Sequence, residues 1–130
     1  MISLATLLAS MLSILQSNPL CERVESIETD PFATDRFAFK VRARIISKYS
    51  LQIRIYYNRG HYDYSYQLFS DVPIVRCDNK EHFPNLATYP HHYHNEHGRP
   101  APSPLSGNPE TDLPLVLEKL GQLLDKIDNF

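Results

Sequence analysis

The segment Arg36-Phe37-Ala38-Phe39-Lys40-Val41-Arg42-Ala43-Arg44-Ile45 has an apolar residue at every second position and mostly basic residues between them. Successive side chains of a strand point to opposite faces, so this segment predicts a strand with one apolar and one basic face. Residues 50–58 alternate in the same way, and Lys48-Tyr49-Ser50 is short enough to link the two strands as a hairpin. The sheet built on this hairpin is therefore expected to be antiparallel, with one face buried.

Further strands are predicted on both sides of this hairpin. Asp30-Pro31 and Asn58-Arg59-Gly60 carry turn-forming residues that would end a strand. The remaining segments with alternating or strand-like composition are residues 21–29, 61–69, 72–77 and 90–94. Together these segments predict an antiparallel meander of five to six strands.

An amphipathic helix is predicted at each end of the chain. Apolar residues repeat at helical spacing from Leu4 to Leu15, and Pro19 ends that pattern. Thr111 or Asp112 is expected to cap the second helix, whose apolar stripe runs from Leu113 to Ile127. Both stripes need an apolar surface to pack on. We therefore predict an α+β fold, with the N- and C-terminal helices on one face of the meander and the basic face left open.

Length and composition predict a single domain over residues 1–130, since a chain of this size buries one core. A long Pro- and His-rich loop is expected at about 79–111, with residues 99–104 as an extended polyproline-type spacer. The two cysteines have no paired spacing and are expected to be reduced. The first helix is too short and too polar to span a bilayer, and no basic segment precedes it. We expect a cytoplasmic protein without a membrane partner.

Positive charge is concentrated in one part of the chain. The formal net charge is only −2, yet residues 36–60 contain seven Lys or Arg and no acid. A basic sheet face of this kind fits an anionic ligand or an acidic partner, although a plainly solvated face has the same pattern. The residues expected to bind the phosphates of a nucleic acid from this face are Lys40, Arg42, Arg44 and Arg54.

Histidines are the second unusual feature of the sequence. Four of the six lie within residues 91–97, and His82 precedes them. Imidazole exchanges protons near neutral pH and is also the commonest metal ligand among side chains. Alternation along residues 90–94 would put His92 and His94 on one face of a strand, with His91 and Tyr93 on the other.

Three blocks of residues resemble the TumE family, the toxin half of bacterial toxin–antitoxin modules. They are Tyr64-Ser65-Tyr66, the segment Arg76-Cys77-Asp78-Asn79-Lys80-Glu81-His82, and Tyr89-Pro90-His91-His92-Tyr93-His94. The family pattern has a second histidine after the first, and this chain has Phe83 there. The resemblance implies a small toxin that is neutralised by a cognate helix-turn-helix antitoxin.

One interpretation of the histidines is RNA cleavage without a cofactor. His92 and His94 would transfer the protons, and Asp78 would orient one of them by accepting its second N–H. Arg76 would stabilise the charge on the scissile phosphate, and His82 could replace either histidine. Lys80 and Tyr93 are further candidates for contacts with the RNA, Tyr93 by stacking on a base.

Two other interpretations remain open. His82, His92 and His94, with Asp78, have the donor types of a zinc or manganese site, which would make the protein a hydrolase dependent on a divalent metal. Alternatively the histidines are structural, and the toxin acts by binding nucleic acid or protein. Cys77 is not expected to be a nucleophile, because it falls on the opposite strand face from Arg76 and Asp78. The uncharged first helix is a candidate surface for a dimer or antitoxin contact.

Overall fold

A computed structural model describes residues 2–46 and 48–128, with the side chains of all these except 127 and 128. The described elements follow one another along the chain as helix α1 (Leu4–Gln16), strands β1 (Cys21–Ala33), β2 (Arg36–Ile45), β3 (Tyr49–Asn58), β4 (His61–Phe69), β5 (Pro73–Asp78), β6 (His92–His94) and β7 (Pro100–Pro102), and helix α2 (Pro109–Asp128). The strands form one sheet in the order of the sequence, and each pair is antiparallel. The predicted α+β meander is therefore confirmed, with seven described strands instead of five to six.

The core lies between the apolar face of this sheet and the two helices. Every second residue of β2, from Phe37 to Ile45, is buried, and the alternate residues of β3 and β4 continue the same face. Leu7, Met11 and Leu15 of α1 and the stripe from Leu113 to Leu124 of α2 belong to the same apolar cluster. Both helices thus cover the predicted face, and neither of the two described helices lies on the basic face. The side chain of Ile127 lies outside the described residues.

Strand β1 is longer than predicted. It continues through Asp30 and Pro31 to Ala33, so the prediction of a turn at Asp30-Pro31 is wrong. Pro31 is tolerated because β1 is an edge strand whose register is irregular between Asp30 and Ala33, where no ladder N–H is required. The link between β2 and β3 is also shifted from the predicted Lys48-Tyr49-Ser50, since β3 already begins at Tyr49. Residue 47 lies outside the described part.

Residues 100–102 form a strand, so the prediction of a polyproline spacer at residues 99–104 is wrong. Pro100 pairs with His94 and Pro102 pairs with His92, which makes β7 the second edge of the sheet. Proline fits there because an edge strand leaves half of its backbone groups outside the ladder. The predicted long loop is therefore interrupted by β6 and β7.

Helix α2 begins earlier than predicted, at Pro109. The side chain of Asn108 accepts a hydrogen bond from the Glu110 N–H at 3.0 Å and acts as the cap, so the assignment of Thr111 or Asp112 to this role is wrong. Asp112 is fully buried and accepts hydrogen bonds from the backbone N–H groups of Ser106 and Gly107. Its carboxylate holds the loop that leads into the helix. Neither described helix is long and apolar enough to cross a bilayer.

Candidate active site

The antiparallel register brings most of the predicted site residues together in two neighbouring rows across the polar face. Adjacent strands are about 4.8 Å apart, so each row crosses roughly 19 Å from β2 to β6. The first row consists of Lys40, Arg54, Ser65, Asp78 and His92, and the second consists of Arg42, Gln52, Gln67, Arg76 and His94. The rows run from the basic strands β2 and β3 to the histidines of β6. These segments are far apart in the sequence.

Asp78 is the centre of the cluster at the end of these rows. Its Oδ1 lies 2.9 Å from His92 Nε2, and its Oδ2 lies 2.9 Å from Arg76 Nε. Asp78 and His92 are each only 2% exposed, whereas the Arg76 side chain is 36% exposed. The Arg76 Nε–H has no aligned hydrogen-bond acceptor, so its contact with Asp78 is an ion pair. The carboxylate therefore connects a buried histidine to a guanidinium that reaches the surface.

His92 is held on both sides of its ring. Nδ1 lies 3.2 Å from the Pro90 carbonyl oxygen, and Nε2 faces the Asp78 carboxylate. Both contacts are hydrogen bonds only when both nitrogens carry a hydrogen, because both partners are acceptors. Asp78 Oδ1 also accepts the Lys80 backbone N–H at 3.0 Å. His92 is thus fixed in orientation and shielded from solvent, which suits a positioning role.

His94 is the more accessible histidine of the pair. Its ring is 5.0 Å from that of His92 and nearly perpendicular to it, which confirms that the two share a strand face. Burial lowers the pKa of His94 from its usual 6.5, and the nearby His92 and Arg76 lower it further, against the opposing effects of Asp78 and a hydrogen bond to the Gly98 backbone. A lowered pKa favours the neutral ring, which can accept a proton near neutral pH.

Phe83 covers the two histidines. Its ring is 5.0 Å from the His92 ring and 5.7 Å from the His94 ring, edge-on in both cases. No role for Phe83 was predicted from the sequence, where the only signal was its place directly after His82. The apolar ring displaces water from one side of the cluster.

His82 does not join the cluster. It is exposed, and its ring contact is with Phe83 at 6.3 Å. Among the described residues, the group with the geometry for a metal ion is Asp78, His92 and His94, whose donor atoms lie within 4.8 Å of one another. Of the predicted metal ligands, Asp78, His92 and His94 therefore lie together, and His82 does not lie with them.

A groove of about 460 Å³ runs along the polar face beside the cluster. Arg54, Arg76 and Lys80 supply its positive charge, and Arg54 is exposed with no hydrogen bond or ion pair among the described residues. Asp63 is the acid in the groove, and its carboxylate lies 3.2 Å from His61. The other lining residues are polar or aromatic and include Gln52, Tyr56, Ser65, Gln67 and Asn79.

The other predicted RNA contacts lie in different surroundings. Lys40 lies 3.4 Å from Glu28, and Arg42 donates to Gln52 at 2.8 Å while its guanidinium lies over the Phe69 ring. Arg44 is exposed on the same face. Tyr93 lies on the opposite face, packed against the hydrophobic core, so it does not face the groove beside the histidines.

Cys77 and Asn79 of the motif region have environments that suit a structural role. Burial raises the pKa of the Cys77 thiol to about 12, which leaves it protonated near neutral pH, as expected for a residue that is not a nucleophile. Asn79 is buried and continues the β4–β5 ladder with its side chain, since Oδ1 accepts the Tyr64 N–H and Nδ2 donates to the Tyr62 carbonyl. Asn79 thereby holds the end of β5, where Asp78 lies. The sequence marked Asn79 as part of a motif without giving its role.

The remaining histidines of the run lie outside the cluster. His91 points to the other side of the strand, where Nδ1 is 2.8 Å from the Tyr64 hydroxyl and the two rings stack. His97 is exposed, with its ring 3.9 Å from the Glu96 carboxylate. Of the four neighbouring histidines, only His92 and His94 therefore contribute to the site.

A protein-family model described as Toxin TumE matches residues 11–124, which include all seven described strands, most of α2 and the C-terminal part of α1. The chain belongs to this toxin family. The resemblance seen in the three motif blocks is thus confirmed over most of the chain. Membership of this toxin family implies that the protein has an antitoxin as a partner. No curated protein and no solved structure matches the chain.

Proposed function

We propose that this TumE toxin is a metal-independent endoribonuclease whose reacting groups are His94, Arg76 and His82. The observation that carries the proposal is a partly exposed histidine with a lowered pKa, next to a guanidinium, at the end of a basic groove. In such a reaction the ribose 2′-oxygen attacks the adjacent phosphorus, and the 5′-oxygen leaves with a proton. The products are a 2′,3′-cyclic phosphate and a free 5′-hydroxyl.

His94 is assigned the role of general base. Its environment favours the neutral ring, so it can take the proton from the 2′-hydroxyl. A positioned base of this kind contributes about 10²- to 10⁴-fold to the rate. Arg76 is assigned to the phosphate, where a fixed cation stabilises the charge that develops in the transition state. Asp78 and His92 act as positioning residues, because they are buried and cannot contact the substrate directly.

The proton for the leaving oxygen requires a second donor, and we assign it to His82. This imidazole is exposed and lies next to Phe83, whose ring contacts His94. Arg54 and Lys80 bind backbone phosphates in the groove, with Lys40, Arg42 and Arg44 extending the positive face. The toxin acts in the cytoplasm and is neutralised by a helix-turn-helix antitoxin. A dimer formed through α1 stays a prediction.

A second candidate function is metal-dependent hydrolysis, which the spacing of Asp78, His92 and His94 favours. One carboxylate and two imidazoles fit zinc or manganese with a coordination position left open. A divalent metal held there would supply a Lewis acid for phosphodiester hydrolysis. We rank this function second because the Arg76 guanidinium already lies against the Asp78 carboxylate, and a second cation would be repelled by it.

The test is cleavage of a defined RNA by the purified toxin with and without excess chelator. We expect cleavage in chelator, ends that carry a 2′,3′-cyclic phosphate, and loss of activity in His94→Ala. His97→Ala is the matched control, because His97 is an exposed histidine outside the cluster. Activity that disappears in chelator and returns with zinc or manganese would support the second function. A toxin that arrests growth but cleaves no RNA would leave the non-catalytic interpretation.

A further inference from the structure

An exposed phenylalanine and a partly buried tyrosine lie on the polar face, where the proposed reaction does not use them. Phe32 is 53% exposed at the end of β1, and Tyr56 of β3 lines the groove together with Arg54. Their ring centroids are 6.3 Å apart at an angle of 53°, and the Arg36 guanidinium lies 5.4 Å from the centre of the Phe32 ring. A pair of aromatic rings that is accessible on the polar face next to two arginines is a feature that protein packing does not require.

The aromatic pair continues the path of the site residues across the sheet. Tyr56 follows Arg54 by two residues on the same strand face, which is a spacing of about 7 Å. From β3, which carries Tyr56, to β6, which carries His94, the sheet extends over three strand spacings, or about 14 Å. Tyr56 also lies four residues along β3 from Gln52, whose row contains His94, and this adds about 14 Å in the perpendicular direction. Stacked nucleotides follow one another at about 3.4 Å along a strand, so several nucleotides fit between the aromatic pair and the histidine.

We propose that Tyr56, supported by Phe32, stacks on an unpaired base, and that the toxin therefore binds single-stranded RNA along the groove towards His94. The identity of the strand as RNA rests on the proposed ribonuclease function. The bases of a duplex are stacked on one another and cannot lie on a protein ring, whereas unpaired bases stack readily on tyrosine and phenylalanine. The arginines beside the rings bind the adjoining phosphates.

The charges around the rings favour a nucleic acid over a protein segment. Arg36 lies over the Phe32 ring and Arg54 lines the groove with Tyr56, and both are cationic, while Asp63 is the cross-strand partner of Tyr56. Asp63, the acid that lines the groove, is engaged with His61. A nucleic acid strand matches this surface, because its phosphates can contact the guanidinium groups while its flat bases stack on the rings. An antitoxin segment seated on the same rings is the competing occupant that the experiment must detect.

The experiment measures fluorescence anisotropy with a labelled single-stranded RNA that carries 2′-O-methyl groups and so cannot be cleaved by 2′-oxygen attack. The blunt duplex of the same sequence serves as the second ligand. We expect Tyr56→Leu to weaken single-strand binding by about 5- to 100-fold and to leave duplex binding unchanged. Tyr56→Phe keeps the ring and should bind normally. Tyr89→Leu removes an exposed tyrosine that does not line the groove, and it should also bind normally.

Circular dichroism of each variant shows whether it is folded, and Phe32→Leu gives an independent second test at a more exposed position. Equal single-strand affinity of wild type, Tyr56→Leu and Phe32→Leu would overturn the proposal. So would a loss of antitoxin binding in these variants with RNA binding intact. Single-strand binding that depends on Tyr56 without any cleavage of unmodified RNA would refute only the ribonuclease function. Cleavage that does not depend on Tyr56 would refute only this inference.

Discussion

At the residue scale, the site depends on a difference between two histidines that the sequence presents as equivalent. His92 is buried against Asp78 and held through both ring nitrogens, while His94 is partly exposed and lies beside Arg76. The alternation of side chains on a strand explains why they share a face. It does not explain their different environments, which come from the contacts of His92 with the Asp78 carboxylate and the Pro90 carbonyl.

The lowered pKa of His94 leads to a prediction about stability and pH. The folded protein binds a proton at His94 less readily than the unfolded chain, where the value is near 6.5. The unfolded state therefore binds more protons as the pH falls below 6.5, and the contribution of His94 to stability is lost there. We expect the free energy of unfolding to fall less steeply in His94→Gln than in wild type between about pH 7 and pH 5.

Urea unfolding at a series of pH values measures this slope. His97→Gln is the matched control and should follow the wild-type curve, since the ring of His97 is exposed. Parallel curves for wild type and His94→Gln would mean that the His94 environment does not perturb its titration.

At the element scale, short strands and side chains that extend the ladder hold the site in place. The three residues of β6 pair with β5 on one side and β7 on the other, which fixes His92 opposite Asp78 and His94 opposite Arg76. Where β5 ends, the side chain of Asn79 takes over two hydrogen bonds to the β4 backbone. The positions of the catalytic candidates therefore depend on hydrogen bonds that are local to β4–β7.

Replacing Asn79 tests this arrangement. Asn79→Ala leaves the Tyr64 N–H and the Tyr62 carbonyl without their partner, and an unpaired buried polar group costs about 1–3 kcal/mol. We expect a loss of about 2–4 kcal/mol in the free energy of unfolding. Chemical denaturation is the measurement, with the exposed Asn85→Ala as control. A variant as stable as wild type would show that water replaces both bonds at no cost.

Phe83 tests the alternative metal site, because its ring contacts both His92 and His94. Phe83→His would add a third imidazole beside His92 and His94. Histidine is also the residue that the family pattern has at this position. We expect this variant to bind zinc more tightly than wild type, and titration calorimetry measures the difference. Tyr89→His, which introduces a histidine at an exposed site, should bind zinc as wild type does. Equal affinity of Phe83→His and wild type would show that the cluster cannot adopt metal-ligand geometry.

At the scale of the whole molecule, the two helices on one sheet face leave the other face free to bind a ligand. The net charge is only −2, but the register places Lys40, Arg42 and Arg54 in the rows that lead to the histidines. The edges of the sheet are irregular or proline-rich, since β1 carries register shifts and β7 carries Pro100 and Pro102. Such edges oppose pairing with other chains.

The salt dependence of RNA binding tests whether the groove is the binding surface. Arg54→Gln removes an exposed, unpaired cation from the groove, and each phosphate contact contributes about 0.7 to the slope of log affinity against log salt for a single strand. We expect the slope to fall by about that amount. Lys40→Gln is the matched control with a smaller effect, because Lys40 already pairs with Glu28. An unchanged slope in Arg54→Gln would place the RNA elsewhere.

The sequence by itself determined the periodic features of this protein. The alternation from Phe37 to Ile45 gave the buried and basic faces, and the helical stripes gave the layer that covers the apolar face, because these patterns depend only on neighbouring residues. The alternation also put His92 and His94 on one face. The exclusion of Cys77 as a nucleophile followed from the same argument.

The tertiary structure alone decided which residues meet. The pairing of Asp78 with His92, the cover formed by Phe83 and the position of His82 outside the group of Asp78, His92 and His94 depend on strand register and loop packing between distant segments. Residues 99–104 were predicted as a spacer because proline favours an extended chain. Residues 100–102 form a strand because they pair with the free edge of β6. Local patterns specify direction and burial, whereas distances between segments are set when the whole sheet has formed.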